Sequence, residues 1–203
     1  MLQLMEVLAV ISAGLFGILL ARSKRMDGIG LISVSLIVAF GGGTLRDVLL
    51  DRSPLFWVAN PHYAAIVFGL AVIASLLPSL PDRLERWLYV PDALGLGLFS
   101  IVGAGIALEQ TGSVFLASLF GVITGTFGGV MGDVVANELP SLFRPTTPLY
   151  ATASFAGCWV FLLGLSAGLE RTPMLWTGVT AVVVLRLAAL RWGWTLPAPR
   201  NQD

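Results

Sequence analysis

The chain has 203 residues, 56% of them hydrophobic and only 12% charged, with a mean hydropathy of +0.86 and no net charge. A water-soluble domain carries roughly a quarter charged residues, so this composition excludes a surface built for water and makes lipid the solvent. The neutral balance leaves no basic stripe for nucleic acid, and a single cysteine (Cys158) and a single histidine (His62) exclude a disulfide framework and most zinc or His-based chemistry.

A helix that crosses a bilayer needs about 20 apolar residues. That ruler predicts seven spans, at residues 4–21, 29–50, 62–80, 91–109, 113–137, 148–169 and 173–190. The first is basic at its far end, Ala21-Arg22-Ser23-Lys24-Arg25, and not before it, the reverse of a cleavable signal, so it reads as a retained helix. Most of the Pro and charge falls in the connections, at residues 22–27, 51–61, 78–91, 138–148 and 170–173. Trp57, Trp87, Tyr89, Trp176, Trp192 and Trp194 stand near span ends as interfacial anchors. No strand-period alternation supports a β-barrel.

Orientation follows from the basic residues. With the N-terminus outside, the inside receives nine (Arg22, Lys24, Arg25, Arg83, Arg86, Arg144, Arg186, Arg191 and Arg200) and the outside three (Arg46, Arg52 and Arg171). The expectation is a multi-pass protein of the cell (inner) membrane, N-terminus out and C-terminus cytoplasmic.

The chain repeats itself. Gly42-Gly43-Thr44-Leu45-Arg46-Asp47-Val48 with Pro54 matches Gly128-Gly129-Val130-Met131-Gly132-Asp133-Val134 with Pro140, at a constant offset of 86 (133 − 47 and 140 − 54). The same offset pairs Glu6 with Asp92 and Gly17 with Gly103. One unit therefore holds three spans, and an odd number inverts the second copy in the membrane. The expected division is residues 1–86 for the first unit, 87–172 for the inverted second unit, and 173–203 for a seventh helix and tail.

Gly41-Gly42-Gly43 and Gly128-Gly129 fall inside apolar spans. Consecutive glycines lower helix propensity by about 1 kcal/mol each and free the backbone to bend. They are read here as functional breaks, against the alternative of close helix packing, which suits Gly95, Gly97, Gly103 and Gly105. Arg46 and Asp47 follow the first break, and Asp133 then Glu138 the second. A charge inside a span costs a few kcal/mol, which marks it as functional by default. Arg46 and Asp47 are adjacent and so are not expected to face each other on a helix. Asp133 is expected to pair with a cation, with a basic side chain such as Arg46, or with backbone donors. Glu6 and Asp92 open their helices, where a carboxylate suits the dipole. Thr44, Thr124 and Thr126 are candidate pore-lining residues, beside Ser12, Ser33, Ser35 and Ser100. Arg186 reads as a snorkelling or inter-helix partner and His62 as interfacial. No nucleophile–base pair, phosphate loop or metal-ligand spacing occurs, so neither catalysis, a cofactor nor a metal beyond a transient monovalent cation is expected.

Residues 21–28, the Gly41-Gly42-Gly43-Thr44-Leu45-Arg46-Asp47-Val48 stretch ending in Pro54, and in the second unit Asp92-Ala93-Leu94-Gly95, Gly128-Gly129-Val130, Asp133, Asn137-Glu138-Leu139-Pro140 and Leu149-Tyr150-Ala151 resemble the prokaryotic TRIC family of trimeric intracellular cation channels, also labelled a glycine-transporter domain. The resemblance covers about residues 4–190. It implies a homotrimer in lipid, each protomer with an hourglass path for potassium or sodium ions between its second and fifth helices. Those helices would kink at Gly42, Gly43, Gly128 and Gly129, with Arg46, Asp47 and Asp133 beside the path. Gly132 departs from the pattern, which often has Arg there; the change removes a positive charge and is expected to favour cations. The leading expectation is a potassium channel. The inverted repeat equally fits a secondary transporter for a small zwitterion such as glycine, and a third class is a structural or lipid-binding membrane protein.

Overall fold

The computed structural model describes residues 1–77 and 89–197. Within them the fold is all-α, in eight helices: α1 (Leu2–Ser23), α2 (Gly28–Leu49), the single turn α3 (Phe56–Ala59), α4 (Pro61–Leu76), α5 (Tyr89–Thr111), α6 (Val114–Val135), α7 (Ala151–Ser166) and α8 (Arg171–Trp192). A 3₁₀ turn, Ser141–Phe143, precedes α7. Residues 78–80 of the third expected span, Arg83, Arg86, Trp87, the expected boundary between residues 86 and 87, and Arg200 in the tail lie outside the described residues.

Local chemistry sets the ends. Asp27 starts α2 by accepting from the Gly30 N–H at 2.8 Å, and Ser113 starts α6 by accepting from the Leu116 N–H at 3.3 Å; each satisfies one of the four N–H groups a helix start leaves open. Pro61 opens α4, where its missing N–H is no loss. Gly193 stops α8 with φ 67°, a left-handed turn that glycine enters without penalty. The repeat offset recurs in these bounds: α2 and α6 start 86 residues apart (114 − 28) and end 86 apart (135 − 49).

Five helices, α1, α2, α5, α6 and α8, are long and apolar enough to cross a membrane. The other two apolar helices, α4 and α7, have 16 residues each, roughly 24 Å at 1.5 Å per residue, against a hydrocarbon core of about 30 Å. The sixth expected span, 148–169, shrinks to Ala151–Ser166, because Pro148 and Leu149 hold their carbonyls toward Arg186 instead of entering the helix.

Helix α5 is the centre, buried along most of its length and packed on α1, α6, α7 and α8. Counterpart helices of the two expected units meet, α1 on α5 and α2 on α6. The helices alternate in direction. Lys24 pairs with Glu138, Arg186 with Asp92, and the Leu149 N–H with the Trp194 carbonyl, so one end of the molecule collects the ends of α1, α6 and α8 and the starts of α5 and α7. At the opposite end Tyr63 reaches Glu6, Gln110 reaches the Leu50 carbonyl, and Arg171 pairs with Glu109.

Candidate functional site: a polar cavity leading to a glycine crossing

Helices α2 and α6 cross at Gly42 and Gly128. A Cβ on Gly42 would land on the Thr124 carbonyl and 3.3 Å from the Gly128 nitrogen; one on Gly128 would land on the Val38 carbonyl. The interruption expected at the glycines is absent. Both helices run continuously through them, since burying unpaired backbone groups in lipid costs more than keeping the helix. What the missing side chains permit is backbone on backbone.

Two adjoining spaces with shared walls lie between the Lys24 end and this crossing. The wider is a cavity of about 280 Å3 whose charged lining is Lys24, Asp92, Asp133, Glu138, Arg144 and Arg186. The narrower is a crevice of about 20 Å3, bounded among others by Phe16, Gly42, Thr124, Gly128 and Gly129; that is room for about one water. Phe16, Asp92, Gly129 and Tyr150 line both. The result is a funnel with a polar mouth and a mostly apolar throat at Gly42 and Gly128.

The funnel's acids are held in different ways. Asp133, 7% exposed, accepts from the Ser141 N–H at 2.7 Å and so caps the 3₁₀ turn that follows α6. This is one of the partners expected for it; Arg46 is not its partner. Asp92 accepts from the Tyr150 hydroxyl at 3.1 Å and pairs with Arg186 Nη2 at 3.2 Å. Arg186 Nη1 also donates to the Pro148 carbonyl at 2.6 Å, and its guanidinium lies 4.5 Å over the Tyr150 ring. Arg186 is thus an inter-helix partner. At the mouth, Glu138 bridges Lys24, just past the end of α1, and Arg144. Those two cations hold its carboxyl below the usual range, the Lys24 hydrogen bond contributing most.

The first expected unit carries the counterpart cluster at the other end. Arg46, fully buried, donates from Nε to Asp47 Oδ1 at 2.8 Å, with Nη2 at 2.7 Å from the same oxygen. The expectation that these neighbours could not meet is corrected. The spacing rule describes Cβ directions, and a long arginine side chain curls back far enough to escape it. Asp47 also accepts from the Phe56 N–H at 2.8 Å, which makes it the cap of α3, and Arg52 joins it from the exposed side at 3.1 Å. The Arg46 guanidinium lies 5.3 Å from the Phe56 ring, which packs on Gly43. Tyr63 donates to Glu6 at 3.1 Å, as Tyr150 does to Asp92.

The remaining candidates are satisfied locally. Thr44 accepts from Trp57 Nε1 at 3.0 Å, and Thr124 and Thr126 donate to the Phe120 and Val122 carbonyls of their own helix. Gly41 faces Met131. Of the pore candidates, Gly42, Thr124, Gly128, Gly129 and Asp133 line the two spaces, whereas Gly41, Gly43, Thr44, Arg46, Asp47 and Thr126 line neither. His62 is exposed beside Tyr63, 4.4 Å between rings.

Sequence reasoning missed Tyr63, Tyr150 and Phe56. Each tyrosine bonds an acid 57 or 58 residues upstream. The offset of 86 puts Tyr63 opposite Leu149, one residue short of Tyr150, so a strict register passes over the pair. An acid near the start of one helix and a tyrosine at the start of another, in both units, was the available signal.

Known proteins resemble this chain over most of its length. The family described as glycine transporter matches residues 3–79 and 89–166. A UPF0126 membrane protein of Vibrio cholerae is 34% identical over 198 residues, covering 97% of this chain and 82% of that one. The UPF0126 inner membrane protein YadS of Escherichia coli K12 is 37% identical over 185 residues, covering 89% and 87%. Among solved structures, the TRIC trimeric intracellular cation channel orthologue from Rhodobacter sphaeroides has a TM-score of 0.88 at 34% identity, over 95% of this chain and 98% of that one. A further TRIC cation channel structure has a TM-score of 0.88 at 25% identity, over 99% and 98%.

Proposed function

The chain belongs to the glycine transporter family of membrane proteins, the TRIC family among solved structures, and from that premise we propose that it is a channel for monovalent cations, chiefly potassium. The path runs inside each copy between α2 and α6, and three copies associate without sharing it. The observation that carries this reading is the polar cavity of about 280 Å3 that narrows, within one chain, onto the Gly42–Gly128 crossing. Of its acids, Asp92 and Glu138 are paired with Arg186, Lys24 and Arg144, whereas Asp133 is held by the Ser141 N–H and is the one assigned to attract cations.

The crevice is too narrow for a hydrated ion, so the geometry corresponds to a closed path, with α2 and α6 bending at Gly42, Gly43, Gly128 and Gly129 when it opens. Residues 1–86 and 87–172 are read as two inverted units and 173–203 as an added helix and tail, which the shared offset of α2 and α6 supports. The Lys24 end is assigned to the cytoplasm of the inner membrane and the N-terminus to the outside. Arg22, Lys24, Arg25, Arg144, Arg186 and Arg191 gather at that end, against Arg46, Arg52 and Arg171 at the other. No catalytic chemistry is assigned.

Bilayer recordings of purified protein test the reading. Unitary potassium currents support it, and Asp133→Asn then lowers conductance or cation preference. Unchanged currents in that variant remove Asp133 from the path. A second reading, transport of a small zwitterion, is favoured by the description of the matching family as glycine transporter; glycine-coupled flux without unitary currents would establish it and end the channel proposal.

A further inference from the structure

The two units place their cations differently. In the first, Arg46 sits on the helix that carries its acid, with Asp47 next to it and Glu6–Tyr63 as the nearby acid–tyrosine pair. Its counterpart by the offset of 86 is Gly132. No side chain fits there without displacement, because a Cβ would stand 2.5 Å from Val38 Cγ2 and 3.2 Å from Leu20 Cδ2 on the neighbouring helices. The second unit nevertheless has a buried guanidinium. Arg186, 4% exposed, reaches in from α8, pairs with Asp92 and lies over Tyr150. Arg46 lies over Phe56 in the corresponding way. The charge near the two ends thereby becomes alike: a half-buried Glu6 with the buried Asp47 and Arg46 at one end, and the buried Asp92, Asp133 and Arg186 at the other.

We infer that Arg186, supplied from outside the repeats, takes the electrostatic place of Arg46 in the second unit and sets how strongly the Asp92–Asp133 cavity concentrates monovalent cations. This inference rests on the channel reading. It also reverses the expectation drawn from Gly132. The positive charge missing from α6 is restored from α8, so the inner half is not left more acidic than the outer. Arg186 lines the cavity together with both acids, and its carbonyl contacts at Pro148 and Leu149 fix the guanidinium in place.

A unit charge roughly 8 Å from an ion, across a largely aqueous space, changes the local cation concentration about twofold at about 0.1 M salt, and the effect fades near 1 M as screening shortens. The test is current–voltage asymmetry in patches from giant bacterial spheroplasts, where every copy faces one way. Arg186→Gln is expected to raise potassium current entering from the Lys24 end about twofold relative to the opposite direction in low salt, with the difference lost in high salt. Asp92→Asn is expected to shift the asymmetry the other way and carries the test should Arg186→Gln fail to assemble. The double variant returns toward the wild-type ratio, and Arg186→Lys retains it. Wild-type currents with an asymmetry that neither single variant moves, or that both move in one direction, overturn this role and leave the channel standing. Wild-type protein without unitary currents overturns the channel reading and this role with it.

Discussion

Replacing Asp47 by Ala separates a structural acid from a conducting one. The substitution removes two contacts to Arg46, at 2.8 and 2.7 Å, and the acceptor of the Phe56 N–H at 2.8 Å, in a site where Arg46 is fully buried. Stranding one partner of a buried ion pair costs about 3–5 kcal/mol, and losing the acceptor of a buried N–H adds about 1 kcal/mol. Arg52 contributes little, since its pairing is on the exposed side. The expected loss is therefore about 4–6 kcal/mol, measured as the shift in an SDS-titrated unfolding curve in mixed micelles. Most of it comes from the stranded charge. Replacing Arg46 by Met, which keeps the bulk under Phe56, in the Asp47→Ala background should recover about 2 kcal/mol or more. Additive losses in the double variant would refute the reasoning, because they would mean that the Arg46 charge does not depend on Asp47. Asp133→Ala provides the contrast: it loses one hydrogen bond at the wall of an open cavity, for about 1–2 kcal/mol.

Three further outcomes are expected. Gly42→Ala and Gly128→Ala should each cost about 1–3 kcal/mol by overpacking, because each new Cβ meets a backbone carbonyl that cannot rotate away; the same unfolding curve checks this, and wild-type stability in either variant would show that the crossing is looser than described. A reporter fused after Gly112 should read outside and one after Pro145 inside, and the reverse pattern would invert the assigned orientation. Glu138→Gln should destabilise most at neutral pH. The Glu138 carboxyl is depressed in the folded state, chiefly by Lys24, so its contribution is complete above the ordinary carboxylate range and is lost as pH falls through the lowered value. The gap between variant and wild type should close on acidification, and a gap that widens would contradict the Lys24 pairing.

Much of the architecture was written in periodic features. Apolar runs bounded by Pro, Gly and charge announced the helices, because lipid accepts few other structures. The recurring Gly-Gly-x-x-x-Asp segment gave an offset that reappears in the bounds of α2 and α6. The lengths of α4 and α7 were less legible, since an apolar residue beside a helix and one inside it look alike in sequence. Pro148 and Leu149 stay out of α7 because Arg186, 37 and 38 residues away, takes their carbonyls. Pairings of that kind, like Tyr63 with Glu6 or Lys24 with Glu138, depend on where helices end in space and leave no local signature.

The glycines act on the helices in two opposed ways. Consecutive glycines weaken a helix in water, where freed backbone groups find solvent; between packed helices in lipid those groups find none, and the helix holds. The same missing side chains then admit a neighbouring backbone, as the Thr124 carbonyl at Gly42 and the Val38 carbonyl at Gly128 show. A crossing held this closely has no side chains to unpack, so on the proposed channel reading a modest bend of α2 or α6 widens the crevice beside it. The ionisable residues that follow the glycines bear on that bend as caps: Asp47 ties the end of α2 to α3, and Asp133 ties the end of α6 to the turn at Ser141. Bending either helix must strain or carry along its cap, which couples the width of the crevice to the loops at opposite ends of the molecule.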